Sequence, residues 1–331
     1  MDRATIKDVA KEAGVSIGTV SNALNGGRYI STDTREKVIN AVKKLNYIPN
    51  LNGRYLKTGA SKTIGFFTNT VTGAYFGTLL DAMSRQCDKL GYQLNIFVTK
   101  DPNVIMTNIM GKCFDGVIIY EGPFLKSQEI AMIQNVGVKM VFLDRELAGK
   151  GMSSILFNSY QAGYEATKYL IRLGHKKIGF IEYADDIFDS KNRKAGYQAA
   201  LEENHLPAGV ILQGNFEEEY CFNGIINLIH FHVDLLPDAF LAGNDLSAVG
   251  CINALNVEGY QVPDDISVIG FDDIDIAQYY KPSLTTVKNP IARQGVLAVD
   301  TLVALIEEKE EGSIKQLEGR LIVRESCAVK Y

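Results

Sequence analysis

Residues 5–25 read TIKDVAKEAGVSIGTVSNALN, which is the pattern of two short amphipathic helices with a tight corner between them. Thr5 and Asp8 have capping-box spacing, in which a hydroxyl serves the first free amides and an acid three residues on answers it. Ile6, Val9, Ala10 and Ala13 then fall on one stripe. Gly14 ends this helix, and Ser16 is a natural N-cap for a second one running to about Leu24, which Asn25-Gly26-Gly27 stops. A third helix is expected from a Ser31 cap to Asn46. It places Val38, Ile39, Val42 and Leu45 on one face, with Asp33 in its first turn and Lys43 and Lys44 in its last, as the helix dipole favours. Two helices joined by a Gly-containing turn of about three residues have the form of a helix-turn-helix, whose second helix enters the DNA major groove; small helical bundles contain such corners too.

Outward from this stretch the chain changes character. Residues 50–61 are polar with two glycines, which reads as a linker with at most one helical turn. From Lys62 onward, short β-branched or aromatic runs each precede a helix-length amphipathic segment, the α/β signature of a parallel sheet. Lys62-Thr-Ile-Gly-Phe-Phe67 recurs as Lys176-Lys-Ile-Gly-Phe-Ile181. Phe114–Ile119 has a counterpart in Pro237–Ala242, and Val138–Asp144 in Ile266–Asp272. A duplication of this kind predicts two similar open lobes with a cleft between them, and in such sheets ligands gather at the carboxyl ends of the strands. Asn69, Asp144, Asn244, Asp245, Asp272 and Asp273 all follow predicted strand ends, where Asp and Asn also serve as helix caps.

The 331 residues suit two or three domains at roughly 150 residues each,. The net charge of -5 conceals a split: residues 1–60 hold ten basic against five acidic residues, and the remainder 24 against 34. A basic end on an acidic body suggests that the small end meets a polyanion. With 46% hydrophobic and 22% charged residues the composition is that of an ordinary globular protein,. No apolar run approaches the ~18 residues needed to span a bilayer, and the N-terminus is charged where a signal peptide is apolar. No membrane association is therefore expected, and a cytoplasmic location is. The five cysteines are scattered and odd in number, which fits reduced thiols,.

The residues quoted from Thr5 to Asn25, with Ser31–Val38 and Leu45-Asn-Tyr-Ile-Pro-Asn50, closely resemble the headpiece of the lactose/galactose repressor family. The resemblance continues through Gly243–Gly250, Val262–Asp273 and Pro282–Thr286, and so covers nearly the whole chain. It implies a helix-turn-helix headpiece at residues 1–49 and a hinge helix at 50–61. The rest, 62–331, would be a two-lobed, periplasmic-binding-protein-like α/β core with parallel sheets that forms a homodimer and binds a small sugar effector. The implied function is a repressor of carbohydrate genes acting on double-stranded operator DNA, with no cofactor and no enzyme activity.

By motif position the resemblance puts Ile17, Gly18 and Asn22 against base edges and Thr19 and Ser21 against phosphates. Thr5, Ser16 and Asn50 join the DNA-facing set, and Leu56 is the wedge that enters the minor groove. Two positions depart from the common pattern. Asn22 stands where Arg is frequent, and Asn pairs with adenine where Arg pairs with guanine. Gly53 replaces a usual alanine, costing the hinge helix about 1 kcal/mol. In the core the resemblance implies Arg193, Asp272, Asn244, Asp144 and Asn158 as polar effector contacts and Phe216 as a stacking ring. Asn69, Tyr75 and Phe76 would come from the first lobe. For the three aromatics, core packing is an equal reading.

The competing readings are a solute-binding protein feeding a transporter and an α/β enzyme; no P-loop, GxGxxG or Ser-His-Asp order supports the latter. A nucleobase or a partner protein is the alternative to a sugar as effector. His230-Phe-His232 places two imidazoles at strand spacing, with no third ligand to make a metal site. The sequence ends soon after Cys327, which leaves a dimer as the simplest expected assembly.

Overall fold

The computed structural model describes residues 4–24, 30–48, 60–111, 113–120, 125–143, 145–183 and 187–331. The chain divides into two compact units, residues 1–61 and 62–331.

In the first unit, three helices pack on one another: α1 (Ile6–Ala13), α2 (Ile17–Leu24) and α3 (Thr32–Lys44). The backbone amide and the hydroxyl of Thr5 both donate to the Asp8 carboxylate, at 2.8 and 2.7 Å. These bonds hold the Asp8 carboxyl below its ordinary range. Gly14 closes α1 in the left-handed region at φ 64°, a conformation that glycine adopts without a Cβ penalty,. Val9, Val20 and Val38, one from each helix, are fully buried at the centre. Burial of each contributes roughly 1.5–3 kcal/mol to so small a core.

The second unit contains two six-stranded sheets. The first lobe holds β1 (Thr63–Thr68), β2 (Gln93–Val98), β3 (Gly116–Tyr120), β4 (Lys139–Phe142), β5 (Met152–Phe157) and β11 (Ile314–Leu317), in the order β11-β5-β4-β3-β1-β2. The second holds β6 (Ile178–Glu182), β7 (Ile211–Gln213), β8 (Ala239–Ala242), β9 (Ser267–Asp272), β10 (Thr285–Lys288) and β12 (Arg320–Ile322), in the order β12-β10-β9-β8-β6-β7. The repeat seen in the sequence is a repeat of register. Ile64 pairs with Gly116 and Gly116 with Lys139, while the matching Ile178 pairs with Ala239 and Ala239 with Ser267. Even the carboxylate before the third strand recurs: Asp115 accepts from the Lys62 amide at 3.0 Å, and Asp238 from the Lys176 and Lys177 amides at 3.3 Å each. The copies differ at one edge, where β11 runs parallel to β5 but β12 runs antiparallel to β10.

The helices of the first lobe are α4 (Gly73–Leu90), α5 (Pro102–Met110), α6 (Ser127–Asn135) and, later in the chain, α12 (Ile291–Ile306). Those of the second are α7 (Ser159–Arg172), α8 (Phe188–Glu203), α9 (Glu218–His232), α10 (Asp245–Val257) and the short α11 (Ile276–Tyr279). Residues of α12 join the core of the first lobe and residues of α7 that of the second, so the chain passes between lobes at Asn158, at Asn289-Pro290 and at Glu318-Gly319. The crossings are tied together: the Asn158 amide donates to Leu317 O at 2.9 Å, and its Nδ2 to Glu318 Oε1 at 3.0 Å.

His230 and His232 lie on α9, not on a strand. Cys221, Ile225 and Leu228 recur at helical period on the buried face, and this periodicity overrides the two-residue spacing of the histidines,. His230 Nε2 sits 2.9 Å from Glu258 Oε1. Among the described residues no group of three or more His, Cys, Asp or Glu is arranged to hold a metal ion.

Candidate functional site

The headpiece owes its corner to Ser16. Its Oγ accepts from the Thr19 amide at 3.1 Å and lies 2.9 Å from Thr19 Oγ1, so the first turn of α2 is capped from its own side chains,. Val20 and Ala23 point into the core. The opposite face presents Ile17, Gly18 and Asn22 to solvent, with Ile17 45% exposed. Asn50, Gly53 and Leu56 lie outside the described residues.

In the core unit the polar residues converge at the carboxyl ends of the second lobe's strands. Helix α8 is pressed onto α7 by two glycines: a Cβ at Gly163 would collide with Arg193 O, and one at Gly196 with Tyr160 O. That close approach buries Arg193, which is 4% exposed. Its Nη1 donates to Gly243 O at the end of β8, its Nη2 stands 3.8 Å from Asp272 Oδ1, and its guanidinium carbon lies 4.6 Å from the centre of the Phe271 ring and 5.8 Å from that of Phe216. Phe216 is tilted against Tyr183 with ring centres 4.8 Å apart. Asn244 caps α10, accepting from the Ser247 amide at 2.9 Å and donating to Phe216 O at 3.1 Å.

Backbone strain collects at the same place. Asp272 and Asp273 have φ of 102° and 56°, and Asn215 and Phe216 of 49° and 57°. Such conformations cost about 1–3 kcal/mol each and persist where surrounding bonds enforce them. Asp273 is held by Arg324 Nη2 at 2.6 Å and Lys288 Nζ at 2.9 Å. Burial pushes the Asp272 carboxyl above the usual carboxylate range and the Arg193 guanidinium opposes it. Asp245 is raised well above that range by burial and then by the charge of Asp272, although it accepts from the Ile274 amide at 2.9 Å and from the Thr286 hydroxyl.

The first lobe contributes aromatic groups. Tyr75, Phe76 and Tyr120 form a cluster with ring centres 5.3–5.8 Å apart. Phe76 belongs to the core of that lobe, and the Tyr75 hydroxyl donates to Gln294 Oε1 at 3.0 Å. Burial raises the Tyr75 hydroxyl well above the ordinary range; the charges of Tyr120, Asp189 and Asp272 act in the same direction and that of Arg193 opposes them. Asn69 follows β1 and is half-buried. Asn158 sits in a crossover, where it caps α7 by accepting from the Gln161 amide at 3.2 Å. Asp144 lies outside the described residues. A surface groove of about 630 Å³ lined by Glu218, Phe222, Asn253 and Val257 includes none of these groups.

Two residues of the cleft escaped the sequence reading. Asp189 accepts from the Ser159 hydroxyl at 2.6 Å, and Asn289 Nδ2 donates to Asp272 Oδ1 at 3.3 Å. The first had a signal, because Asp189 and Arg193 are four apart on a helix and share a face. The second had none, since a crossover residue carries no periodicity.

A capped helix-turn-helix on a two-lobed α/β core with a charged, strained cleft defines a ligand-responsive DNA-binding regulator. Comparison with known proteins agrees. Residues 5–50 match the family described as bacterial regulatory proteins, lacI family, and residues 167–327 match a periplasmic binding protein-like domain. The probable HTH-type transcriptional repressor ExuR of Bacillus subtilis (strain 168) is 35% identical over 327 residues, 97% of this chain and 98% of that protein. The HTH-type transcriptional repressor PurR of Haemophilus influenzae (strain PittEE) is 35% identical over 336 residues, 98% of each chain. Among solved structures, the lac repressor dimer bound to operator and the anti-inducer ONPF superposes with a TM-score of 0.86 at 27% identity, covering 99% of this chain and 100% of that one. The transcriptional regulator CelR–cellobiose complex gives 0.72 at 26% identity over 98% and 100%. The chain belongs to the lacI family of bacterial transcription regulators.

Proposed function

We propose that this regulator is a dimeric cytoplasmic repressor of carbohydrate genes whose hold on operator DNA is set by a small sugar bound between the core lobes. Residues 1–49 would read the operator through Ile17, Gly18 and Asn22, with Thr5, Ser16, Thr19, Ser21 and Asn50 on the backbone. Residues 50–61 would form the hinge that carries Gly53 and Leu56, and 62–331 the sensor. The observation that carries the sugar reading is the enclosed Arg193–Asp272 pair with Asn244 beside it and the Phe216 face over it. Planar charged and amide groups bond vicinal hydroxyls, and an aromatic face covers the apolar side of a sugar ring. Asn69, Tyr75, Phe76, Asp144 and Asn158 would complete the site as the lobes close. An effector shifts DNA affinity only by its preference for one arrangement of the protein over the other.

The test is a mobility shift on selected operator fragments with and without a sugar panel, run beside a chain beginning at Lys62. The full chain should shift DNA and respond to one sugar; the shortened chain should bind that sugar and leave DNA alone. A shortened chain that still shifts operator DNA refutes the assignment. A nucleobase is the second reading, favoured by the flat faces of Tyr183 and Phe216 beside Arg193.

A further inference from the structure

Among the described residues around Arg193, carboxylates outnumber cations. Asp189 and Arg193 lie four apart on one face of α8, which puts the Asp189 carboxylate on the side of the helix from which Arg193 meets Asp272,. Asn289 stands beside them. Its Nδ2 donates to Asp272, which fixes the amide's orientation, because the flipped amide would set oxygen against carboxylate,. Its Oδ1 then has no hydrogen-bond partner among the described residues, although Asn289 is only 5% exposed. Arg193 is equally enclosed and its Nε–H is also without a hydrogen-bond partner there. Neighbouring cations are engaged elsewhere: Lys288 and Arg324 with Asp273, and Lys194 with Glu182.

Among the described residues, two carboxylates, Asp189 and Asp272, and Asn289 Oδ1 thus face a single guanidinium, that of Arg193. An alkylammonium supplies three donors and no acceptor, together with the positive charge that enclosed carboxylates lack. A hydroxyl on the same molecule can accept from Arg193 Nε–H. We propose that the effector is an aminated polyol, of the 2-amino-2-deoxyhexose class, whose ammonium group is seated by Asp189, Asp272 and Asn289. This rests on the sugar reading above and adds the ligand's charge to it.

The experiment is calorimetry on the full-length protein with matched gluco and galacto series: the parent hexose, the 2-amino sugar, its N-acetyl derivative and the hexuronic acid. It is run near pH 6.5, below the ~8 at which such amines lose their proton. The amino sugar should bind at least about thirtyfold tighter than its N-acetyl derivative, the factor expected when one partner of an enclosed charge pair is removed. Asp189→Asn should erase that margin, with its own melting curve checking that it folds. A parent hexose, N-acetyl sugar or uronate that binds as tightly as the amine overturns the charge assignment and leaves the sugar reading standing. Binding by no member of either series overturns both. An Asp189→Asn protein that keeps the amine's full margin removes Asp189 from the site.

Discussion

Arg193 Nη2 and Asp272 Oδ1 lie 3.8 Å apart in the cleft, their side chains only 5% and 11% exposed, on elements separated by almost eighty residues of chain. The distance is too long for a hydrogen bond, so each group keeps capacity for a third partner. A ligand hydroxyl inserted between them would satisfy both.

Arg193→Ala should therefore abolish the effector response while operator binding survives. The loss comes from stranding Asp272 as an enclosed carboxylate without its cation as well as from the lost contact. Calorimetry with the cognate ligand and a mobility shift without it check the two halves. Tight ligand binding by both Arg193→Ala and Asp272→Asn would put the pocket elsewhere.

Gly163→Ala tests whether the approach of α7 and α8 positions that arginine. The added methyl meets Arg193 O, and overpacking of this kind costs typically about 1–3 kcal/mol,. Ligand affinity should fall and the melting temperature of the 62–331 unit should drop, while the headpiece, with its own core, melts as before. An unaltered ligand affinity would show that the register of the two helices does not matter to the site.

Asn22→Arg should move operator preference toward G·C at one symmetric position in each half-site, at roughly 1–3 kcal/mol per contact. Asn22 is exposed on α2 beside Gly18, so the longer side chain has room. Selection from a randomised DNA pool reads the outcome, and an unchanged site logo would mean that residue 22 does not face a base.

Asp245→Asn addresses the buried acid behind the cleft. Its folded-state carboxyl is raised, so its contribution to stability is present below the unfolded value of about 4 and is lost as pH rises through the folded one,. The parent should thus lose stability relative to the Asn variant as pH climbs from about 4 toward neutrality. Denaturant melts across that range give the difference directly. A difference independent of pH would mean that Asp245 titrates normally.

Sequence pattern and structure agree most closely where local chemistry is decisive. Thr5 with Asp8, Gly14, Ser16 and Ser31 each mark a helix boundary by a bond made within a few residues, and the structure has those boundaries. The lobes were legible because a duplicated gene segment keeps its hydrophobic register, down to Asp115 and Asp238. The cleft was legible only in part. Arg193 stands in a polar stretch, Asp189–Lys194, and only the family resemblance singles it out, whereas Asp272 also follows a predicted strand end; Asn289 lies at a crossover that no short window of sequence contains. The two-residue spacing of His230 and His232 carried no information on their element, which the period of Cys221, Ile225 and Leu228 determines.

The three passages between lobes bear on how the protein is made. The first lobe needs α12 and β11, so its sheet and core stay incomplete on the ribosome until residues beyond 317 have emerged. The headpiece closes its small core within the first fifty residues. Synthesis therefore delivers a folded headpiece well before a finished sensor, and a chain interrupted in its last quarter would carry the first without the second,. Messages truncated late should accordingly yield products with a folded headpiece whose contact with DNA no sugar can regulate.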